Sequence, residues 1–492
     1  MYKAALPLLL SGAGFVSATL QVDFESTASI KAAAKDVAFD VMSYYKGNQS
    51  GEIPGIFGLP SPTDDPHQYW STGARLWSTM LDYWRYTGDD TYNSVAMEGL
   101  VHQIDPGQEY PFMSPNWTAA MTTSGHGFWG LSAMSAAELE FPNPPGGEPS
   151  WIELAQNVFR ALEARFAMET MCGGGLRAQV PLVNQGYHLK STLANAVFLN
   201  LGARLGRYTG NQTYAEWADK TWDWLSSVGL IEESTDSIAI HNSIPVNNCS
   251  HVRKNNWTIF TGTLLEGAAY MYNQTTGDAQ TTWRSRIRKM TRRALATDFP
   301  ATTTTGELVL VEPGCEAPSP YTFPCDPQEH YGKGAYLRAL AGTAQLAPFT
   351  RGEIARRVRD SAVAAVRVCE GGLRGRACSF VWNMDPGWEN RAAGSDDLGI
   401  YGPGAPAEQM NVLSVLVGLL VDEPAVGGFA RDLTVGQGGE GGDGEGGDGS
   451  QGDGDGSGNG DGSQGNGDGG SAGTTRRVAA GWVVAGLVAA LL

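Results

Sequence analysis

Neighbouring carboxylates are well suited to acid–base chemistry, because two carboxyl groups close together can divide the roles of acid and base. Among the adjacent aspartates of this chain, the candidate pairs are Asp64-Asp65 and Asp396-Asp397. The first pair falls in a loop rich in glycine and proline, and the second follows a Gly-Ser dipeptide. Both contexts are typical of solvated turns. We therefore expect neither pair to be catalytic.

Two histidines, His126 and His241, are candidate metal ligands if the fold brings them to one groove. No third ligand is evident beside either of them in the sequence. The spacings of the six cysteines also match no zinc-binding pattern. The sequence therefore predicts no metal site and no cofactor.

Catalytic side chains are positioned by the helices and turns that carry them. The stretch Thr122–Pro145 gives the clearest prediction of such an element. It opens with a turn-forming Thr-Thr-Ser-Gly sequence and closes with paired prolines. Large apolar residues recur between them at helical spacing: Phe128, Trp129, Leu131, Met134 and Leu139. The pattern predicts a helix that begins at the turn.

This stretch resembles the active-site helix of glycoside hydrolase family 76, the endo-1,6-α-mannosidases and their GPI-anchored fungal cell-wall relatives. The family pattern at the turn is similar to Gly-Asn-Asp-Asp-Gln-x-Phe-Trp-Gly, and its aspartates fall on Ser124 and Gly125 here. Glycoside hydrolysis needs two carboxyl groups that flank the scissile bond, and the resemblance implies that the aspartates supply them. Serine and glycine can perform neither role.

Other positions depart from the family in the same direction. The glutamate of a Trp-Trp-Glu-Ala-Gly segment becomes Ser71, and a loop aspartate becomes His241. A helix start that carries Tyr and Asn in the family reads Ile259-Phe260, and a tryptophan expected to stack on sugar becomes Ala178. The segments that match, within roughly residues 20–422, have the character of packing, capping and turn sequence. The chain thus keeps the family's residues where they support the scaffold and replaces them where they would line the groove.

Some groove residues are retained, and the resemblance implies that they contact substrate: Trp70, Trp129, Lys190, Asn195 and Trp257. For each tryptophan, packing between helices is at least as good an explanation, since the chain has 14 of them. Asp105 and Glu109 lie in a loop that leads towards the groove. These two carboxylates are weak substitutes for the missing acidic pair.

Helical patterns cover most of the chain. Twelve follow one another at roughly 26–45, 67–87, 90–103, 125–140, 150–169, 189–208, 212–227, 256–273, 279–297, 331–346, 350–369 and 404–421. Tyr86–Tyr92 and Tyr208–Tyr214 match each other, and Tyr272–Asp278 is a looser copy. Each copy predicts a C-cap glycine and then a polar N-cap between two helices.

Strand-like sequence is confined to short runs near Leu308–Val311 and Phe380–Trp382. Twelve helices in six hairpins predict an all-α fold, an (α/α)6 toroid. In such a toroid the inner helices line a central groove and the loops at one end carry the chemistry. The resemblance implies the same fold.

The N-terminal segment has the composition of a targeting sequence. In residues 1–18, Lys3 precedes an apolar run and small residues stand at the expected cleavage positions, which predicts a secretory signal peptide. A folded, glycoside-hydrolase-like domain is expected at 19–434.

The C-terminal part changes composition abruptly. Residues 435–473 consist largely of glycine and carry eight carboxylates, which predicts a disordered stalk because such a segment cannot bury apolar surface. Residues 474–492 finish in 15 apolar residues, fewer than the ~20 needed to span a bilayer. We expect a GPI signal with attachment at Gly470 or Ser471.

The cysteines and sequons fit a secreted glycoprotein. The disulfides inferred from proximity are Cys315–Cys325 and Cys369–Cys378, which leaves Cys172–Cys249 out of fifteen possible connectivities. N-glycosylation is expected at Asn48, Asn116, Asn211, Asn256 and Asn273.

The formal net charge of −18 argues against nucleic acid as a partner, because an acidic surface repels phosphate. The resemblance implies mannan or the GPI glycan and wall polysaccharide as partners, with a GPI anchor holding a monomer at the plasma membrane and wall. Three functions stay open: a mannan hydrolase or transglycosidase, a catalytically inactive glycan-binding relative, and a structural wall protein. The residue replacements in the groove favour the second function, a catalytically inactive glycan-binding relative.

Overall fold

The computed structural model describes residues 19–57, 67–105, 107, 112, 121–316, 330–370, 374–383 and 406–421. Twelve long helices and one single-turn helix lie in these ranges. They are α1 (Thr27–Ser43), α2 (His67–Thr87), α3 (Asn93–Val101), α4 (Thr123–Glu138), α5 (Trp151–Met168), α6 (Thr192–Thr209), α7 (Gln212–Ser227), α8 (Thr258–Gln274), α9 (Gly277–Arg293), α10 (Pro313–Glu316), α11 (Gly332–Leu346), α12 (Arg351–Arg367) and α13 (Pro406–Gly418). All twelve predicted helices are confirmed.

Six of these helices form an inner ring. In the order α2, α4, α6, α8, α11 and α13, each contacts the next, and α13 contacts α2. One further helix packs on each member of the ring: α3 on α2, α5 on α4, α7 on α6, α9 on α8, α12 on α11 and α1 on α13. This arrangement confirms the (α/α)6 toroid.

Burial separates the inner helices from the outer ones. Every residue of α4 and of α13 is buried, whereas α9 and α12 bury one narrow face and expose charged side chains. A helix enclosed on all sides needs small residues where its neighbours approach. At Gly130 of α4, an added β-carbon would lie 2.8 Å from Val158 Cγ1 and 3.0 Å from Leu201 Cδ2.

The two closest sequence echoes have the same structure. Gly88 and Gly210 follow α2 and α6 with positive φ angles of 81° and 74°. A polar residue then accepts a hydrogen bond from the backbone NH two positions later. The predicted C-cap glycine of the third copy is wrong, because Gly277 is the first residue of α9. Thr275 caps α8 there, and its hydroxyl donates to the Met271 carbonyl at 2.7 Å.

Six short strands pair as β1–β4, β2–β3 and β5–β6, all antiparallel. They are β1 (Leu189–Ser191), β2 (Ile231–Glu233), β3 (Ile238–Ile240), β4 (Ser243–Pro245), β5 (Pro300–Thr302) and β6 (Leu308–Leu310). Strand β6 confirms the strand expected near Leu308–Val311. The strand expected at Phe380–Trp382 does not form, since the segment turns back and the Trp382 indole donates to the Ser379 carbonyl at 3.1 Å. The sequence patterns do not predict strands β1–β5.

Two of the inferred disulfides are confirmed, Cys172–Cys249 and Cys369–Cys378. Cys315 is also disulfide-bonded, and its inferred partner Cys325 lies outside the described residues. Of the sequons, Asn48 and Asn211 are exposed, and Asn256 and Asn273 are half-buried. Asn116 lies outside the described residues.

The targeting segments stay predictions. The signal peptide at 1–18, the stalk at 435–473 and the tail at 474–492 lie outside the described residues. Among the helices that are described, none is long and apolar enough to cross a bilayer.

Candidate functional site

The N-terminal ends of the six inner helices meet at one end of the ring, and we call this end the rim. Ser71 of α2 lies beside Gly125 of α4, with the Ser71 Cβ 3.1 Å from the place of a β-carbon at 125. At the same end of the ring, the backbone NH of Gly334 in α11 donates to Asn411 Oδ1 of α13 at 2.7 Å. The rim therefore includes the start of α4, where the sequence resemblance places the chemistry.

The turn before α4 is fixed by its own cap and by a neighbouring loop. The backbone NH of Gly125 donates to Thr122 Oγ1 at 2.9 Å, so Thr122 is the N-cap of α4. The backbone NH of Thr123 donates to the Ala178 carbonyl at 3.0 Å. The loop around Ala178 is thereby held against the start of α4.

Ser124 and Gly125, onto which the resemblance places the family aspartates, are both buried in the first turn of α4. An added β-carbon at Gly125 would lie 2.7 Å from Thr122 Oγ1 and 3.1 Å from Ser71 Cβ. The first distance is shorter than real β-carbons tolerate, and the contact is with a hydroxyl engaged in the cap. The first turn of α4 offers no acidic side chain, and a side chain at 125 fits only if the Thr122 hydroxyl moves.

Trp70 and Trp129 pack beneath the turn. Both are buried, and their ring centroids lie 5.8 Å apart. The Trp70 indole donates to Gln103 Oε1 at 2.8 Å, and Phe112 meets the Trp129 ring edge-on at 6.0 Å. Their predicted contact with sugar stays a prediction, while the contacts present are those of a core.

His126 follows the turn and is fully buried. Its Nε2 lies 3.2 Å from the Phe112 carbonyl, and Arg165 donates to Nδ1 at 3.1 Å. Burial, together with the Arg165 charge, lowers the pKa of His126 to about 3, so the imidazole is neutral. The other candidate, His241, pairs with Glu232 Oε2 at 3.0 Å. No group of three His, Cys, Asp or Glu converges within the described ranges.

Lys190 and Asn195 organise the loop that presses on α4. The buried Lys190 ammonium donates to the carbonyls of Gly174 and Gly175, and burial lowers its pKa to about 8. Asn195 Oδ1 accepts from the Leu176 NH at 2.9 Å, and its amide donates to the Leu176 carbonyl at 3.1 Å. Both side chains therefore support the loop, and their role towards substrate stays a prediction.

The remaining predicted residues are scattered. Trp257 is half-buried at the N-cap of α8, where its ring fills the space beside Gly314. Asp105 accepts a hydrogen bond from the Gly107 NH at 3.0 Å, as in a local turn. Glu109 and the pairs Asp64-Asp65 and Asp396-Asp397 lie outside the described residues.

A cavity of about 300 Å³ opens next to Thr123, between the end of α5 and the loop that Lys190 supports. Its polar lining includes Arg165, Glu169, Arg177 and Tyr187. The Arg177 guanidinium forms an ion pair with Glu169 and lies 4.5 Å from the centre of the Tyr187 ring. Hydroxyl-rich ligands suit such a lining, which offers donors, acceptors and an aromatic ring.

None of these lining residues was predicted from the sequence. They come from the last turns of α5 and from a loop some ten residues further on, and only the tertiary structure brings them together. Arg177 is the one next to a position that the resemblance marked, since it directly precedes Ala178.

The opposite end of the ring holds a buried ion pair. Arg204 of α6 donates to Glu138 Oε2 of α4 at 2.7 Å and to Ser135 Oγ at 2.9 Å. The Tyr270 hydroxyl of α8 donates to the same carboxylate oxygen at 2.9 Å. This cluster ties three inner helices together far from the rim.

Comparison with known proteins agrees with this fold. The chain matches the model of Glycosyl hydrolase family 76 over residues 29–428. Mannan endo-1,6-alpha-mannosidase DCW1 of Candida glabrata is 36% identical over 399 residues, which cover 81% of each chain. Mannan endo-1,6-alpha-mannosidase DFG5 of Saccharomyces cerevisiae is 32% identical, over 86% of this chain and 85% of that protein.

Solved structures are similar as well. Dfg5 from Chaetomium thermophilum, in complex with glucosamine, has a TM-score of 0.72 and 37% identity, and covers 82% of this chain and 93% of its own. An alpha-1,6-mannanase from Salegentibacter has a TM-score of 0.58 at 15% identity, over 79% of this chain and 98% of that one, which shows the fold alone. The ring of helices and its rim define a toroid of the kind that glycoside hydrolases adopt. The chain belongs to glycosyl hydrolase family 76.

Proposed function

We propose that this chain binds α-1,6-mannan or the mannose-containing GPI glycan at its rim and does not hydrolyse it. Family membership supports the ligand class, since the relatives DCW1 and DFG5 are mannan endo-1,6-alpha-mannosidases. The turn before α4 supports binding without turnover.

The observation that carries the proposal is the geometry of that turn. Ser124 supplies a hydroxyl, and at Gly125 the Thr122 hydroxyl and the Ser71 β-carbon fill the space of a side chain. A glycosidase needs an acid and a nucleophile or base on either side of the bond. Losing both removes acid–base help that alone contributes about 10²- to 10⁴-fold.

The carboxylate that lines the cavity does not replace the missing pair. Burial opposes the charged form of Glu169, but the hydrogen bonds from Arg177 and from the Met171 NH outweigh it and lower the pKa. A general acid needs the opposite shift, towards the operating pH. Asp105, the weak substitute that is described, is engaged in its own turn.

The proposed location is the cell surface and wall. The sequence supports a signal peptide at 1–18, a stalk at 435–473 and GPI attachment at Gly470 or Ser471. Treatment of intact cells with phosphatidylinositol-specific phospholipase C is expected to release the protein. Retention of the protein with its C-terminal tail intact would refute the anchor.

The function is tested with the purified full chain and α-1,6-mannotriose, the oligosaccharide bound in a structure of the Salegentibacter mannanase. We expect calorimetry to detect binding and chromatography to detect no mannose or mannobiose. Arg177→Ala is expected to weaken binding, with Arg356→Ala on the exposed face of α12 as the matched control.

Two outcomes contradict the proposal. Cleavage of the trisaccharide would show an active hydrolase, and its loss on Asp105→Asn or Glu109→Gln would locate the catalyst. If the chain binds neither mannotriose nor longer α-1,6-mannan, the remaining interpretation is a structural wall protein.

A further inference from the structure

Two outer helices carry a surplus of positive charge on an acidic protein. Helices α9 and α12 pack on α8 and α11, which are neighbours in the inner ring. Helix α9 has six lysines and arginines and one carboxylate, and α12 has five arginines and two carboxylates. The whole chain has a net charge of −18. The surplus predicts that this side of the domain attracts anions.

Four of the six cations of α9 form ion pairs with nearby carboxylates. The pairs are Arg286 with Asp219 and Asp223, Lys289 with Glu233, Arg292 with Asp236, and Arg293 with Asp298. Arg284 and Arg288 are exposed, and neither forms an ion pair or a hydrogen bond with another side chain in the part of the chain that the structure describes. Because like charges four residues apart on a helix repel each other, an anion bound between these two arginines would stabilise the helix.

Phe349, in the connection between α11 and α12, supports both of these arginines. The guanidinium carbons of Arg284 and Arg288 lie 4.9 Å and 5.2 Å from the centre of the Phe349 ring. Tyr272, near the end of α8, meets the same ring edge-on at 5.2 Å and holds it in position. A guanidinium that lies over an aromatic ring keeps the NH groups at its edge available as donors. The two arginines therefore share one aromatic support.

The start of α12 adds a second source of positive potential. Phe349 belongs to the short 3₁₀ helix Pro348–Thr350, which leads directly into α12. Neither Ala347 nor Thr350 caps this end with its side chain. The N-terminal end of a helix carries a partial positive charge and favours anions. The first turn of α12 contains one carboxylate, Glu353, which precedes Arg357 at the spacing of a helical ion pair.

We propose that Arg284 and Arg288, supported by Phe349 and beside the start of α12, form a binding site for a phosphate group. Each guanidinium presents two parallel NH donors that match two phosphate oxygens. The site lies where α8 and α11 end, at the end of the ring opposite the rim. A phosphate bound there leaves the rim open to glycan. Free phosphate, a sugar phosphate and a lipid headgroup share the chemistry that this site recognises.

The test titrates the full chain with inorganic phosphate and with mannose 6-phosphate, followed by phosphorus NMR. Low ionic strength is used because salt screens exposed charges. We expect saturable binding with a dissociation constant in the millimolar range. An Arg284→Gln/Arg288→Gln variant should bind at least about tenfold more weakly, because it loses both charged donor groups.

Two further variants separate a specific site from general charge. Lys289→Gln/Arg292→Gln removes the same charge from the same helix, at residues that already have acidic partners. This matched control should change the dissociation constant by less than about twofold. Arg284→Lys/Arg288→Lys keeps the charge without the planar fork and should weaken binding about threefold. The lysine variant also serves as the test if the glutamine variant at 284 and 288 does not fold.

Three results overturn the inference. The first is that neither phosphate compound shows saturable binding to the unaltered chain. The second is equal weakening in the two glutamine variants, which would mean that only net charge matters. The third is full affinity in the lysine variant, which would remove the role of the guanidinium groups. Mannotriose binding, measured in the same variants, should not change, so this inference and the proposed function can fail separately.

The same experiments identify the source of the phosphate. Tighter binding of mannose 6-phosphate than of inorganic phosphate assigns a sugar phosphate, and equal affinities assign free phosphate. Co-sedimentation with phosphatidylcholine vesicles that contain phosphatidic acid assigns a lipid headgroup, provided that it is lost in the Arg284→Gln/Arg288→Gln variant. Each of these outcomes supports the site and differs only in the group that carries the phosphate.

Discussion

The hydroxyl of Thr122 lies 2.9 Å from the backbone nitrogen of Gly125 and accepts a hydrogen bond from it. The same hydroxyl lies 2.7 Å from the place that a β-carbon at 125 would occupy. A side chain at 125 therefore requires the Thr122 hydroxyl to shift from its present position in the cap.

A Gly125→Asp variant is expected to lose about 1–3 kcal/mol of unfolding free energy, as overpacked sites do. Adding Thr122→Gly should restore most of it, because glycine removes the hydroxyl and is only a few tenths of a kcal/mol worse as an N-cap. Urea unfolding measures both. Gly352→Asp, at an open position in the first turn of α12, is the control. A Gly125→Asp variant as stable as the unaltered chain would contradict the steric account.

His126 is expected to make the fold sensitive to acid. Its pKa is about 3 when folded and about 6.5 when unfolded, so the unfolded chain binds more protons between these values. Stability therefore falls as the pH drops from 6.5 towards 3, by up to about 1.4 kcal/mol per pH unit.

A His126→Gln variant should lose less stability over this range, since glutamine can bond to Phe112 and Arg165 without titrating. Thermal unfolding at pH 6.5 and pH 4 gives the comparison, and His251→Gln at an exposed position is the control. Equal acid sensitivity of the His126→Gln variant and the unaltered chain would show that other groups dominate.

The Glu138–Arg204 pair should be much more sensitive to substitution than an exposed pair. Glu138→Ala leaves the buried Arg204 guanidinium and Tyr270 hydroxyl without their acceptor, at a cost of about 3–5 kcal/mol. Lys254→Ala breaks the exposed pair with Glu232 and should have a far smaller effect, because solvent screens that pair. Similar shifts of the urea midpoint in the two variants would be inconsistent with the buried network.

The disulfides should differ in their contribution to stability. Cys172–Cys249 closes a separation of 77 residues and Cys369–Cys378 one of 9. The loop-entropy relation gives a difference of about 2 kcal/mol in favour of the longer loop. Paired Cys→Ser variants in chemical unfolding test this order. Because Cys172 precedes the glycines that Lys190 holds, its variant should also bind mannotriose more weakly.

The sequence predicts helices well because each long helix carries a periodic apolar pattern over several turns. It does not show strands β1–β5, which form through pairing between segments that no local pattern marks. At Gly277 the motif match misled, because Thr275 ends α8 before the glycine is reached.

The candidate site also has one part that the sequence predicted and one part that only the tertiary structure shows. The turn with Ser124 and Gly125 was located from a local motif, and the structure adds why the position is closed, through Thr122 and Ser71. The cavity could not be predicted, because its lining joins the end of α5 to the loop after Gly175. Trp70 and Trp129 show that aromatic residues next to an active-site motif can serve the core.

Ring closure has a consequence for the kinetics of folding. The last described helix, α13, fills the gap between α2 and α11 and also packs on α1, the first described helix. During synthesis, the faces of α1, α2 and α11 that pack on α13 stay exposed until nearly the whole domain has been made. Contacts of such high sequence separation form slowly, and the waiting intermediate exposes apolar surface to aggregation. A nascent chain that stalls before α13 is thus a natural client for chaperones.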